Sequence, residues 1–239
     1  MLLVIGGDGT MRIAQELIQK GLQMVGVPKT IDNDLYGTEV TVGFDTAVTT
    51  AMEALDKLHT TAESHHRVLV IELMGRHAGW IALVAGVAGG ADAILLPEIP
   101  YHLDMVADEI WQRNDSGAQF SLVVAEDSMP FCDEAVYQAE RDLGGVSRLG
   151  GVGEVVAEQL RRRCHADVRV TVLGYLQRGG SPSAFDRLLA TRFGATAVHM
   201  IAQGKVGHMV ALQDGHMTAA LMREAVPGKF EAERGALAP

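Results

Sequence analysis

Residues 2–10 read Leu-Leu-Val-Ile-Gly-Gly-Asp-Gly-Thr. A short apolar run ending in glycines fits a parallel strand buried in a sheet. The period then changes: Ile13, Ala14, Leu17, Ile18 and Leu22 recur at helical spacing, which predicts a helix over Met11–Leu22. Strand, glycine turn and helix open an α/β unit. Glycines at such a turn let the backbone approach a phosphate closely, and the helix N-terminus adds positive potential. Asp8 is an odd charge beside an anion unless a metal bridges the two. The plainer alternative is a strand-to-helix turn capped by Asp8, and short glycine motifs recur widely enough to leave both open.

The same alternation continues downstream. Strands are predicted at Met24–Val27 (stopped by Pro28), Arg67–Leu73, Ala93–Leu96, Phe120–Ala125 and Val168–Leu173. Helices are predicted at Asp45–Leu58, with Asp45 or Thr46 as cap, and at Ala78–Val87, Leu103–Arg113, Val152–Arg163 and Phe185–Gln203. Repeated strand–helix units imply mainly parallel sheets covered on both faces, with ligands at the carboxyl ends of the strands. Gly144–Gly153 reads as a mobile glycine-rich connection, and Pro227–Pro239 as a tail without periodicity.

Composition narrows the partners. The 239 residues are 48% hydrophobic and 5% aromatic with 27 glycines, as in a soluble α/β protein. A formal charge of −10 argues against nucleic acid or an anionic membrane as partner. A polyanionic substrate must therefore meet a local cluster of basic residues. Cys132 and Cys164 lack metal or redox spacing and read as reduced thiols of a cytoplasmic protein. No cationic-then-apolar leader opens the chain, and the apolar run from Trp80 to Ala88 is too short to span a bilayer.

Residues 28–34, Pro-Lys-Thr-Ile-Asp-Asn-Asp, follow closely on the glycine turn. After Pro28 an extended or turn-like backbone would send Asp32 and Asp34 to one side with period two. One carboxylate could then take a proton from an attacking hydroxyl while another holds the Mg²⁺ that bridges phosphates. Lys29 could balance their charge. Asp and Asn are also ordinary turn formers, so the segment alone decides nothing. Arg67, Arg76, Arg169 and Arg178 fall at predicted strand ends or turns, where they could gather around a phosphorylated substrate. Each alone is more often a solvated charge. Gly75 beside Arg76 permits close approach, and Glu126 closes a strand where it could accept sugar hydroxyls. The histidines, including His65, His66 and His77, show no metal-binding spacing.

Five stretches in order resemble the phosphofructokinase family: GGDGT at 6–10, PKTIDND at 28–34, GFDTA at 43–47, MGRHAGW at 74–80 and GYLQRGGSPSAFDR at 174–187. The resemblance implies two similar three-layer α/β domains with mainly parallel sheets. A donor-side domain would take 1–43 plus 177–227, and a fructose-6-phosphate-side domain 44–176 plus 228–239. It implies phosphoryl transfer to the 1-hydroxyl of fructose 6-phosphate, with Asp32 as general base and Thr30, Asp34 and Arg76 as its catalytic companions. Gly7, Asp8, Gly9 and Thr10 would meet the donor, and Asp8 and Asp34 would meet Mg²⁺. The sugar phosphate would be met by Thr30, Asp32, Arg67, Met74, Gly75, Arg76, Glu126, Arg169, Tyr175 and Arg178. In the family, two of the arginines, here Arg67 and Arg169, reach across from a neighbouring subunit. A homo-oligomer, dimer or tetramer, is therefore implied.

The chain departs from the family pattern in three places. Tyr175 stands where many bacterial members carry a phosphate-contacting histidine; a phenol can still donate a hydrogen bond. Gly9 is the small residue of ATP-using members, whereas Lys29 is seen in pyrophosphate-using ones and also in some ATP-using ones. The steric effect of Gly9 favours ATP over pyrophosphate. Leu2–Ile5 resembles an interior strand of the family's first domain, so the family's opening strand, its glycine turn and its adenine loops are expected to be lacking. A non-catalytic sugar-phosphate-binding subunit is the alternative from another class. A diacylglycerol- or NAD-kinase-like protein shares GGDGT but not PKTIDND or the 174–187 motif.

Overall fold

The computed structural model describes residues 1–65, 67–76, 78–115, 117, 120–125, 137–141, 147–149, 151–164 and 166–225. In chain order these form β1 (Leu2–Gly6), α1 (Asp8–Gln19), β2 (Met24–Thr30), β3 (Val42–Gly43), α2 (Phe44–His65), β4 (Val68–Leu73) and α3 (Trp80–Ala88). Next come β5 (Ala93–Leu95), α4 (Leu103–Asp115), β6 (Phe120–Ala125), β7 (Tyr137–Arg141), β8 (Ser147–Leu149), α5 (Val152–Cys164) and β9 (Val168–Val172). A 3₁₀ turn at Gly174–Arg178 leads to α6 (Ala184–Ala202), β10 (His208–Gln213), β11 (His216–Leu221) and α7 (Met222–Ala225). Two compact units result: Met1–Thr46 with Ser181–Pro239, and Ala47–Gly180.

The first unit is built on a sheet of order β1-β2-β10-β11, with β3 beside the end of β2. β1, β10 and β3 all run parallel to β2. Side chains of β2 alternate between two cores. Val25 and Val27 pack with Leu189, Phe193, Ala197 and Met200 of α6, which recur at helical spacing. Met24 turns the other way, to Met11 and Ala14 of α1 and Met222 of α7. β1 is not buried as its apolar run suggests: Leu2, Leu3 and Ile5 are 51%, 41% and 61% exposed. It is an edge strand, with a hydrogen-bonded neighbour on one side only among the described residues.

Other corrections are local. β2 runs through Pro28 to Thr30 rather than stopping at Val27. Pro28 pairs with Gly6, the last residue of β1, so the missing N–H falls at the end of that ladder. α1 starts at Asp8, directly on the glycine turn. The N-terminus of α2 takes its cap from afar: the Asp186 carboxylate, 2% exposed, accepts from the amides of Gly43 (2.8 Å) and Thr46 (2.9 Å) and from the Thr46 hydroxyl. β10 and β11 form an antiparallel hairpin that periodicity did not predict.

The second unit holds the all-parallel sheet β5-β6-β4-β9. Val68, Val70 and Val168 pack against Val152, Val156, Ala157 and Leu160 of α5. Glu72 is 3% exposed within β4 and accepts from the amides of Gly151 (3.0 Å) and Gly153 (2.7 Å), which fixes the start of α5. The connection read as mobile contains β8, paired antiparallel with β7, and the first turn of α5. Cys164 is free and buried, and burial pushes its thiol pKa up. Cys132, Glu126, His66, His77 and the expectations for 227–239 lie outside the described residues. Among the described residues no helix is long and apolar enough to cross a membrane.

Candidate active site

In the first unit the candidate residues stand at the carboxyl ends of β1 and β2, adjacent parallel strands. The N-cap of α1 is Gly7, in extended conformation and without a side-chain capping bond, so the first helical N–H groups are left for a partner outside the helix. A Cβ on Gly7 would come within 3.0 Å of the Thr30 Cβ, so the glycine turn of β1 touches the end of β2 directly. A Cβ on Gly9 would meet nothing within 4 Å, whereas one on Gly6 would strike the Thr10 side chain. The Asp8 carboxylate receives the Arg12 Nε–H at 2.9 Å, one helical turn on.

Thr30 shapes the approach to Asp32. Its Oγ1 accepts the Asp32 amide at 3.2 Å, a side-chain turn that fixes the loop leaving β2. The separation of 3.5 Å between Thr30 Oγ1 and Asp32 Oδ2 is long for O–H···O and carries little. Below them, Thr41 Oγ1 donates to the Thr30 carbonyl at 2.8 Å. Asn33, 3% exposed, staples the loop: its Nδ2 donates to Glu39 O at 3.2 Å and its Oδ1 accepts the Thr41 amide at 3.0 Å. Asn33 has φ +51, so Asp32 and Asp34 do not lie on one extended run and the period-two argument does not carry over. Lys29 is exposed beside them.

In the second unit, β4 and β9 are neighbours whose carboxyl ends lead into Met74–Arg76 and into the 3₁₀ turn bearing Tyr175 and Arg178. Arg76 is exposed and has φ +54, and an added Cβ on Gly75 would run into the Ala78 carbonyl oxygen. The Arg178 guanidinium lies over the Tyr175 ring, 5.8 Å from its centre. Arg67 and Arg169 stand at the other ends of the same strands. Their guanidinium Nε atoms meet one carboxylate, that of Asp167, at 2.7 and 2.9 Å. The hydrogen bond from Arg67 is the main reason that the Asp167 pKa lies below the usual aspartate range. The four arginines thus do not gather at one place: two pairs are separated by the length of β4, ~20 Å at ~3.3 Å per residue.

A model of the phosphofructokinase family matches residues 1–201. The chain belongs to the phosphofructokinase family. It is 55% identical over 225 residues to the ATP-dependent 6-phosphofructokinase of Chloroflexus aggregans, covering 94% of this chain and 62% of that relative. It is 49% identical to the pyrophosphate–fructose 6-phosphate 1-phosphotransferase of Amycolatopsis mediterranei, covering 94% and 66%. The solved structure of Pichia pastoris phosphofructokinase in the T-state matches with a TM-score of 0.81 and 29% identity, over 98% of this chain and 26% of that one. The chain therefore spans less than two thirds of the curated relatives it matches.

Among the described residues no three His, Cys, Asp or Glu side chains gather into a metal cage. Mg²⁺ does not require one, because it is commonly held by one or two carboxylates together with substrate phosphates. Asp8, at the mouth of α1 with its carboxylate paired to Arg12, could take that role. Sequence reasoning missed four groups around the site. Arg12 was signalled by its i,i+4 spacing from Asp8, and Asp167 by its place between Arg67 and Arg169 in the strand pairing. Asp186 and Gln177 gave no local signal, since their partners are more than a hundred residues away.

Proposed function

We propose that this chain carries out, as part of a 6-phosphofructokinase, phosphoryl transfer to the 1-hydroxyl of fructose 6-phosphate, the glycolytic step of a cytoplasmic enzyme. The observation that carries the reading is the contact of two phosphate-handling segments in the first unit. The glycine turn with Asp8 lies against Thr30, whose side chain sets the Asp32 loop. In the proposed reaction Asp32 takes the proton of the 1-hydroxyl as its oxygen bonds to the terminal phosphorus of the donor. The bond from that phosphorus to the bridging oxygen breaks, giving fructose 1,6-bisphosphate and the shortened donor. The Thr30 hydroxyl and Arg76 guanidinium stabilise charge on the transferring group. Mg²⁺, when bound, neutralises phosphate charge; Asp8 would hold it, with Asp34 as the second carboxylate.

Met74, Gly75, Arg76, Tyr175 and Arg178 form the chain's own sugar-phosphate contacts in this reading, with Glu126 assigned by resemblance. Arg67 and Arg169 belong to the site of a neighbouring subunit in a homo-oligomer. Their position at the strand ends opposite Met74 and Arg178 supports that division. ATP is the favoured donor, because Gly9 leaves open space at the helix mouth. Pyrophosphate is the second reading, supported by the Amycolatopsis mediterranei relative. A coupled assay with fructose 6-phosphate and each donor tests the proposal. Turnover with ATP supports it, turnover with pyrophosphate alone corrects the donor, and sugar-phosphate binding without turnover returns the chain to a binding role.

A further inference from the structure

Gln177 lies within the 3₁₀ turn, between exposed Leu176 and exposed Arg178, yet is itself 1% exposed. Its Oε1 accepts the Met74 amide hydrogen at 2.7 Å. Met74 is the first residue past the sheet ladder, which ends at Leu73↔Ala125 on one side of β4 and Glu72↔Val172 on the other. Its N–H has left the backbone network and depends on a side chain. Chemistry fixes the amide orientation, because the NH₂ group turned toward Met74 would set donor against donor. Nε2 is then buried with no acceptor among the described residues. That arrangement costs stability, and a methionine of similar length would avoid the cost. What methionine cannot supply is the acceptor for Met74.

The segment held this way has a demanding backbone. Arg76 sits in the left-handed region at φ +54, and the Gly75–Ala78 turn closes so tightly that only glycine fits at 75. Gln177 anchors the entrance to this turn and simultaneously belongs to the turn that carries Tyr175 and Arg178. We infer that Gln177 is a positioning residue which sets the Met74–Gly75–Arg76 contacts in register with Tyr175 and Arg178, so that one buried amide couples the two halves of the sugar-phosphate site. This rests on the sugar-phosphate role proposed above for those residues.

Gln177→Met and Gln177→Glu separate the inference from a loss of packing. Amide hydrogen exchange at Met74 and the KM values for fructose 6-phosphate and for the donor are measured on the whole chain. Gln177→Met should speed Met74 exchange roughly tenfold and raise the fructose 6-phosphate KM roughly tenfold, with the donor KM within about twofold. Gln177→Glu should bring both back toward wild type, because a carboxyl oxygen accepts in either protonation state. The inference is overturned by a Gln177→Met variant with unchanged sugar-phosphate KM, by both KM values rising together, or by a Glu variant no better than Met. A wild-type chain that shows no calorimetric binding of fructose 6-phosphate overturns the functional reading and the substrate half of this inference together. That outcome is distinct from a wild type that binds and a Met variant that binds equally well.

Discussion

Replacing Asp186 by alanine should weaken the chain at a point where two sequence-distant motifs are tied together. The carboxylate is 2% exposed and accepts three hydrogen bonds, from the Gly43 and Thr46 amides and the Thr46 hydroxyl. A buried donor that loses its acceptor costs about 1–3 kcal/mol. Gly43 and Thr46 are half-buried, so the lower figure applies to each amide. Loss of a negative charge at the N-terminus of α2 adds about 0.3–1 kcal/mol. The sum is about 3 kcal/mol, or roughly 6–12 °C in melting temperature for a chain of this size. Asp186→Asn keeps one acceptor oxygen and should lose about half as much. The damage should also reach the reaction, since Gly43 pairs with Thr30. Thermal unfolding followed by circular dichroism, with turnover measured well below the transition, checks both parts. An alanine variant that melts with the wild type would show that the network contributes nothing and refute the reasoning.

Gly9→Asp should fold normally, because its Cβ has open space, but should depress ATP use far more than pyrophosphate use; equal loss with both donors contradicts the assignment of Gly9. Gly75→Ala should lower stability by about 1–3 kcal/mol, as expected of overpacking against a backbone carbonyl, and weaken fructose 6-phosphate binding. Unchanged calorimetric binding would remove Gly75 from the site. The Asp167 carboxyl titrates below the usual aspartate range, held there first by Arg67. Its interaction is complete above the unfolded-state pKa and is lost as pH falls through the lower folded-state value. Carbon-detected NMR titration should show Arg67→Ala raising that pKa toward the usual aspartate range, and an unchanged value contradicts the geometry.

The α/β alternation was legible because the longer parallel strands are short apolar runs and the longer helices keep their own period. Leu189, Phe193, Ala197 and Met200 on α6 are an example. The β10–β11 hairpin had a readable sign that periodicity overlooks: Asp214-Gly215, both with positive φ, is a two-residue turn between paired strands. The segment 28–34 was legible as chemistry but not as shape. Asn33 in the left-handed region breaks the extended run on which the period-two argument depended. The arginines illustrate a different limit. Position at a strand end was readable, but which end was not, and the register of β4 with β9 puts Arg67 and Arg169 opposite Arg76 and Arg178. Long-range ties such as Gln177 to Met74 depend on which strands become neighbours, and no local pattern encodes that.

The most direct test of the proposed chemistry is single-turnover phosphoryl transfer from ATP to fructose 6-phosphate by the wild-type chain and by Asp32→Asn. The substitution keeps the size of the side chain and the Thr30-held loop, but the carboxamide cannot take the proton. The account expects product from the wild type, and a rate lower by roughly a hundred- to ten-thousandfold in the variant with sugar-phosphate affinity preserved. Equal rates in the two proteins, or no product from a wild type that binds fructose 6-phosphate, would contradict it.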